Sequence, residues 1–369
     1  NASSGLFVWS PNSTVSVTNC KIQNNLSSGL HVLSVKELTV TGNSFIGNYD
    51  PSDSYFTAAI YVSDNTRTRA EITDNSITGS LCRYCYGIYL TNSAGNDVVA
   101  RNIIQGNSAG ILMQSTSGTA SLLEWNTIAH NLGDGMTLSG GSLNIRHNTI
   151  FDNGGHGAIF TSPGAALISR NVISGNGQGG LSLNAFLQGS VAPVIRHNIF
   201  TFNETNGLSI SGSNGWGSTN IYPTVEYNAF YGNAYGELIH SVDYPWSFED
   251  EEPGVYGELN ATTWSNYNIR HDPGFIDAEN GDFTLSPDSF LIDAGDPNDS
   301  YSDEPAPNGG RVNIGLYGGT GQAEVSPDAP QVNDLVAWTA GADVMISLDA
   351  GTSSVSNWLT LEYFDGASY

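Results

Sequence analysis

The sequence predicts an all-β chain that forms a right-handed parallel β-helix solenoid, with a partial β-sandwich segment at its C-terminus. Three observations support this: an asparagine motif that repeats along the chain, short strands with apolar residues at alternating positions, and the lack of any window with sustained helical periodicity. A solenoid grows along one axis, so 369 residues can form one elongated unit. Length alone therefore does not require two domains.

The repeat begins with an asparagine that is followed two residues later by isoleucine or phenylalanine. Its copies start, at intervals of 22 to 32 residues, at Asn19 (with Ile22 one residue late), Asn43, Asn75, Asn102, Asn126, Asn148, Asn171, Asn198 and Asn228. A second asparagine follows five residues later at Asn24, Asn48, Asn107, Asn131, Asn153, Asn176, Asn203 and Asn233, and Ser80 replaces it in one copy. A strand of the form Gly-apolar-x-apolar comes next. Because stacked coils lie roughly 4.8 Å apart, we expect equivalent asparagine amides to hydrogen-bond in a ladder.

Composition and charge narrow the class of partner. The chain has 36 acidic and 11 basic side chains, a net charge of −25, which disfavours binding to nucleic acid and to anionic membranes. No apolar stretch is long enough to span a bilayer. Only 13% of residues are charged and 43 are glycine, a mix typical of secreted or cell-surface β-proteins with many tight turns.

The end of the repeat carries a different motif. It opens with His271-Asp272-Pro273-Gly274-Phe275 and closes with Arg311-Val312-Asn313-Ile314-Gly315-Leu316-Tyr317-Gly318-Gly319. This segment resembles the closing coil of secreted bacterial parallel β-helix repeat proteins of the pectate-lyase-like superfamily. The resemblance covers residues 1 to about 320 and implies fold rather than activity, because that superfamily includes lyases, hydrolases, epimerases and non-catalytic surface proteins.

Residues 321–369 are predicted to be a linker and the first strands of another domain. Alternating apolar residues at 344–348 and 359–363 are typical of a fibronectin- or immunoglobulin-like sandwich, which needs about seven strands and 100 residues. We therefore expect the chain to be part of a larger multidomain protein.

The residues immediately before the ladder asparagines form a stripe. Its members are Asp74, Arg101, Trp125, His147, Arg170, His197 and Tyr227. If the coils stack, these side chains line one outer face, where rings and cations suit an extended polysaccharide or cell-surface glycan. The alternative is a solvated row of ion pairs between coils, each of which contributes little.

Asp134 and His156 fall at equivalent positions of adjacent coils. A carboxylate beside a histidine is a plausible general-base arrangement, and Gly155-His156-Gly157 resembles a polygalacturonase motif. That family's paired aspartates and Arg-x-Lys motif are missing here, and a two-carboxylate hydrolase needs a second acid. A structural Asp–His pair is the alternative.

Other positions suggest further sites. Outward strand positions carry no carboxylate, which argues against a calcium-dependent lyase: His31, Tyr61, Tyr89, Leu112, Thr137, Ile159, Ser182 and Ser209. A Gly/Pro-rich loop carries Asp293, Asp296, Asp299 and Asp303, either as a structural Ca²⁺ site or as solvated carboxylates. Trp246 belongs to an aromatic segment that either flanks a sugar-binding cleft or covers strand edges.

The three cysteines include one close pair, Cys82 and Cys85. A lone CxxC without nearby histidines favours a loop disulfide or free thiols over zinc.

The leading hypothesis is a β-helix module that binds carbohydrate or acts as a scaffold and requires no cofactor. The alternative hypothesis is a polysaccharide lyase or glycoside hydrolase that acts through Asp134 and His156 or through the histidines and arginines of the stripe.

Overall fold

The computed structural model describes residues 4–50, 57–63, 69–93, 96–115, 120–185, 189–212, 219–221, 223–242, 255–256, 263–264, 267–326, 332–340 and 343–350. Each coil contributes strands that pair in parallel register with the coils before and after it. The predicted parallel β-helix is therefore confirmed. No helix in these residues is long and apolar enough to cross a membrane.

The Gly-apolar strands stack along one side of the coil, which we call face 1. They span Leu6–Thr18, Leu30–Thr41, Thr57–Val62, Cys85–Ser93, Ala109–Ser115, Met136–Ser139, Ala158–Thr161, Leu181–Ala185, Leu208–Gly212, Leu238–Val242 and Val255–Tyr256. The first two are long enough to continue around the corner into the next face, since their second halves pair with each other and with Arg69–Thr73.

The strands that precede the first asparagine of each copy form face 2. They span Arg69–Thr73, Val98–Ala100, Ser121–Glu124, Leu143–Arg146, Leu167–Ser169, Val194–Arg196, Thr224–Glu226 and Thr263–Trp264. Faces 1 and 2 together form a 19-stranded sheet.

Short strands between the two asparagines form face 3, a separate nine-stranded sheet. They span Lys21–Gln23, Ser44–Ile46, Ser76–Thr78, Ile103–Gln105, Thr127–Ala129, Thr149–Phe151, Val172–Ser174, Ile199–Thr201 and Ala229–Tyr231. A small parallel pair, Gly189–Val191 and Thr219–Ile221, extends from two coils.

Two asparagine ladders fix the corners on either side of face 3. In the first ladder, Asn126 donates from its amide Nδ2 to Asn148 Oδ1 at 2.9 Å, and its backbone N–H donates to the same oxygen at 3.0 Å. Equivalent bonds run along the second ladder, for example from Asn131 to Asn153. The inner amides of both ladders are buried and most bond to the coils on both sides, so the predicted ladder is confirmed.

The first and last coils depart from the predicted register. Cys20 and Asn25, not Asn19 and Asn24, occupy the ladder positions, because the backbone N–H groups of Cys20 and Asn25 donate to the next rungs. The first ladder also extends beyond Asn228 to Asn268, whose Oδ1 accepts from the Asn228 amide at 3.1 Å. Exposed Arg270 holds the apolar position of the motif there, so the pattern did not find this rung.

Apolar side chains fill the inside of the coil in columns. One column comes from the middle of the face 3 strands and is fully buried in every strand after the first: Phe45, Ile77, Ile104, Ile128, Ile150, Ile173, Phe200 and Phe230. The last two rings stack at 4.9 Å between centroids. This continuous core drives coil stacking, because each coil alone would leave two apolar surfaces in water.

Residues 271–326, which we call the closing segment, do not stack as a final coil. They contain an antiparallel pair, Phe275–Asp277 and Asp282–Leu285, joined by the 3₁₀ turn Ala278–Asn280. Their apolar residues, including Phe283, Leu291 and Ile314, form a second buried cluster with outward residues of face 3. The expected closing coil is therefore a segment that lies along the side of the helix.

The strands Val332–Ala340 and Asp343–Ala350 pair antiparallel. The predicted strand at 344–348 is confirmed, whereas 359–363 lies outside the described residues. The sandwich domain stays a prediction.

Candidate functional site

The stripe before the first ladder occupies a tight corner with left-handed backbone. All seven stripe residues have positive φ, from 52° at Tyr227 to 59° at Asp74. This conformation costs an L-residue roughly 1 kcal/mol or more, and the neighbouring asparagine bonds hold it in place. The side chains of these residues point away from the core of the coil, as predicted for the stripe.

The start of the stripe is an exposed ion pair. Arg101 donates from Nε and Nη2 to the two carboxylate oxygens of Asp74, at 2.7 and 2.8 Å. The pair lowers the pKa of Asp74. This part of the stripe matches the alternative interpretation, a solvated pair between coils.

The remainder of the stripe lies against the closing segment instead of on an open surface. Trp125 stacks on His147 at 4.4 Å between ring centroids, and the Tyr317 ring lies 6.2 Å from the indole at an interplanar angle of 27°. His147 Nδ1 bonds to the Leu316 carbonyl at 2.7 Å, and burial lowers the His147 pKa to about 4. Tyr227 is also buried and belongs to the second apolar cluster.

Arg170 and His197 both contact the closing segment, Arg170 at Asp299 and His197 at Asp296. Arg170 Nη2 and Arg196 Nη1 donate to the two oxygens of Asp299, at 3.1 and 3.0 Å. His197 is fully buried, and its Nε2 accepts the backbone N–H of Asp296 at 3.0 Å, which requires an unprotonated nitrogen. Burial, followed by the nearby arginine charges, lowers the His197 pKa far below its usual value.

The four aspartate side chains of the Gly/Pro-rich loop do not converge on one point. Asp299 neutralises the two arginines, and Asp296 accepts the Asn298 backbone N–H at 2.9 Å. Asp293 accepts from the Gly309 N–H and the Ser326 hydroxyl, whereas Asp303 is exposed. Among the residues that the structure describes, no three His, Cys, Asp or Glu side chains are grouped to hold a metal ion. Trp246 lies outside those residues.

Face 1 carries an aromatic stack on its first coils. His31 stacks on Tyr61 at 4.7 Å and Tyr61 on Tyr89 at 4.8 Å, with interplanar angles of 17° and 11°. The ring faces therefore contact one another, so the stack offers ring edges and hydroxyl groups to a ligand, not flat platforms. The predicted outward column of these residues is confirmed by the strand register.

The later coils of face 1 carry two parallel columns of uncharged side chains, all of them polar except Ile159. One column contains Thr137, Ile159, Ser182 and Ser209, and the other contains Gln114, Ser139, Thr161, Asn184 and Ser211. Most are half-buried, and Gln114 is exposed. The second column was missed from the sequence, although it lies two residues beyond the first on every strand.

Charged side chains are excluded from this surface. No residue in the face 1 strands between Thr57–Val62 and Leu208–Gly212 is Lys, Arg, Asp or Glu. Among the described residues, the closing segment packs against face 3 and its corner and not against the face 1 strands. Hydroxyl and amide groups that both donate and accept suit the hydroxyl groups of sugars.

Asp134 and His156 meet at the edge of face 1, as predicted. Asp134 Oδ1 accepts the backbone N–H of His156 at 2.8 Å and lies 3.6 Å from His156 Nδ1. Each side chain is about a quarter exposed, at 28% and 26%. Tyr86 lies near this carboxylate: burial raises the Tyr86 pKa, and the Asp134 charge is the second cause. The pair joins adjacent coils beside the open face.

Comparison with known proteins gives a family match over most of the coil repeat. The family described as "Right handed beta helix region" matches residues 1–124 and 86–243. No curated protein shows significant sequence similarity to the chain.

Solved structures with similar coils include a periplasmic alginate epimerase, AlgG, and a pectate lyase, Pel9A. The epimerase is 16% identical with a TM-score of 0.42, and the match covers 66% of this chain and 49% of that one. The pectate lyase is 13% identical with a TM-score of 0.35, over 83% of this chain and 86% of that one. The chain thus spans about half the length of the epimerase.

Proposed function

The chain belongs to the right-handed β-helix family, and we propose that its open face 1 binds a neutral extracellular polysaccharide without cleaving it. The observation that carries this proposal is the pair of uncharged polar columns, repeated from coil to coil on a surface that the closing segment leaves open. An extended glycan presents hydroxyl groups along its length, so a surface with repeated donors and acceptors can bind many sugar units at once.

The distribution of charge supports a neutral ligand. Polyuronates carry a carboxylate on each sugar, and proteins usually bind carboxylates with Arg or Lys. Here the arginines of face 2 and its corner are paired: Arg101 with Asp74, Arg146 with Glu124, and Arg170 with Asp299. A net charge of −25 also repels polyanions.

The Asp134–His156 geometry favours a structural role over catalysis. One carboxylate oxygen of Asp134 already accepts a backbone N–H, so the side chain ties one coil to the next as the asparagines do. The 3.6 Å separation from His156 Nδ1 is longer than a hydrogen bond. The face 1 strands contribute no second carboxylate to assist proton transfer.

The test is affinity electrophoresis through gels that contain either neutral polysaccharides or polyuronates, with the same polymers assayed for new reducing or unsaturated ends. We expect slower migration in at least one neutral gel, unchanged migration with polyuronates, and no new ends.

The second candidate function is polysaccharide cleavage, which the close approach of Asp134 and His156 favours. New chain ends that disappear in His156→Ala would establish cleavage and overturn the binding-only proposal. Unchanged migration in every gel would overturn both candidates.

A further inference from the structure

The second asparagine ladder is interrupted at Ser80. The backbone N–H of Ser80 still donates to Asn107 Oδ1 at 3.0 Å, so its main chain keeps the ladder register. The shorter side chain does not form the rung to the preceding coil: the Ser80 hydroxyl oxygen is buried without a hydrogen-bond partner. The side-chain hydrogen bond that would join Asn48 to residue 80 of the next coil is therefore missing.

A disulfide lies directly beside this gap. Cys82 and Cys85 are bonded, with Cα atoms 5.0 Å apart, which confirms the disulfide alternative of the sequence prediction. Cys85 pairs with Thr57 of the preceding coil, and the Thr57 hydroxyl lies 2.9 Å from Cys85 Sγ and 3.6 Å from Cys82 Sγ. The Thr57 hydroxyl thus contacts both sulfur atoms beside the backbone pairing of the two coils, in which the Thr57 N–H donates to the Tyr84 carbonyl at 3.3 Å.

The chain between Ser80 and Gly87 is longer than the equivalent connection in the coil that contains Asn131. Six residues separate Ser80 from Gly87, whereas three separate Asn131 from Gly135. A longer connection loses more conformational entropy when it is ordered. Two of its large side chains, Leu81 and Tyr84, are 47% and 37% exposed and gain little from burial. The disulfide restricts this connection covalently.

Tyr86 follows the disulfide immediately and borders the open face. Its ring packs on Tyr89 at 5.5 Å between centroids, with an interplanar angle of 45°. It pairs with Ala109 on the next coil, and that small side chain leaves the path towards Asp134 open. The start of this strand is therefore an edge of the proposed glycan surface.

We propose that the Cys82–Cys85 disulfide, a bond within one coil, restrains the connection beside the missing rung at Ser80 and positions Tyr86, so that glycan binding on face 1 depends on the intact disulfide. The claim that binding depends on the disulfide rests on the proposed function, whereas the claim that the disulfide positions Tyr86 does not. A dithiol reductant breaks the S–S bond and leaves two thiols, while the reductant forms its own disulfide.

The experiment compares Cys82→Ser/Cys85→Ser with the same chain that also carries Ser80→Asn, which supplies the missing amide. Amide hydrogen exchange of residues 81–90 measures positioning, and retention by the neutral polysaccharide selected in the gels measures binding. We expect the serine pair to exchange faster and to bind about tenfold more weakly. Ser80→Asn should restore slow exchange and most of the binding.

Two controls separate the outcomes. Cys20→Ser removes the exposed free thiol and should change neither readout. If the serine pair does not fold, the intact protein treated with a dithiol reductant gives the same comparison. Unchanged exchange after loss of the disulfide, or no restoration by Ser80→Asn in a folded chain, would overturn the proposal. If the unmodified chain binds no polysaccharide, the proposed function fails while hydrogen exchange still decides the positioning.

Discussion

At the scale of the residue, a ladder asparagine makes more buried hydrogen bonds than any other single side chain in the coil. Asn148 Oδ1 accepts from the Asn126 backbone and amide, and Asn148 Nδ2 donates to the Leu123 carbonyl at 2.8 Å and to Asn171 Oδ1 at 2.9 Å. Its removal leaves groups on both neighbouring coils unpaired in a buried site.

We therefore expect Asn148→Ala to lower the free energy of unfolding by about 3 kcal/mol or more. Urea unfolding measures this loss. Asn268→Ala is the matched control. Asn268 is half-buried at the last described rung, so its replacement should lower the free energy of unfolding clearly less. Equal losses at the two positions would contradict a central role for the inner rungs.

His147 gives the coil a predictable dependence on pH. Its pKa is about 4 in the folded chain against 6.5 for an ordinary histidine, so the unfolded chain binds more protons between these values. Stability is complete above pH 6.5 and falls as the pH drops towards 4, by about 3 kcal/mol for this residue. Burial raises the pKa of Glu304, which acts in the opposite direction, so total stability alone does not isolate His147.

The measurement is therefore a comparison of the unmodified chain with His147→Gln by urea unfolding at several pH values. The difference between their unfolding free energies should shrink as the pH falls from 6.5 to 4. A difference that stays constant across this range would show that His147 does not titrate as the geometry requires.

At the scale of the element, the closing segment depends on both apolar packing and one partly buried carboxylate. Asp299 lies between Arg170 and Arg196, whose side chains are 16% and 26% exposed. Loss of this charge leaves the partly buried Arg170 without its ion-pair partner and Arg196 with only the longer contact to Asp296 at 3.9 Å, and breaking a buried pair typically costs roughly 3–5 kcal/mol.

We expect Asp299→Asn to loosen the closing segment and to make residues 271–326 sensitive to limited proteolysis under conditions where the coil persists. Asp303→Asn on the same loop is the control, because Asp303 is exposed and its loss should leave proteolysis unchanged. Cleavage at the same rate in both variants would mean that the Arg–Asp299 contacts do not hold the segment.

The sequence predicted the repeating elements well and the closing segment poorly, for a physical reason. Coils recur, so Asn126, Asn148 and Asn171 reveal one another by their spacing. The contacts of Trp125 with Tyr317 and of His147 with Leu316 join positions 192 and 169 residues apart and leave no periodic signal. The sequence therefore showed that the stripe residues point outward, but it did not show that the closing segment covers them.

At the scale of the whole molecule, charge is separated by face. Arg101, Arg146, Arg170 and Arg196 form ion pairs on face 2 and at its corner. The face 1 strands from Thr57–Val62 to Leu208–Gly212 contain no Lys, Arg, Asp or Glu, and the Asp134–His156 pair lies at their edge. The outward column of face 1 was predicted from the strand register. Whether that column can bind a ligand depends on where the closing segment packs, and only the folded chain shows this.

The most direct test of the account is a comparison of two matched variants of one coil. Gln114 is exposed on face 1 and Gln105 is exposed on face 3, so Gln→Ala removes the same group from either side. In affinity electrophoresis with the selected neutral polysaccharide, Gln114→Ala should weaken binding by about threefold to tenfold, and Gln105→Ala should have no effect. Equal effects, or weakening by Gln105→Ala alone, would contradict the assignment of face 1 as the glycan-binding surface.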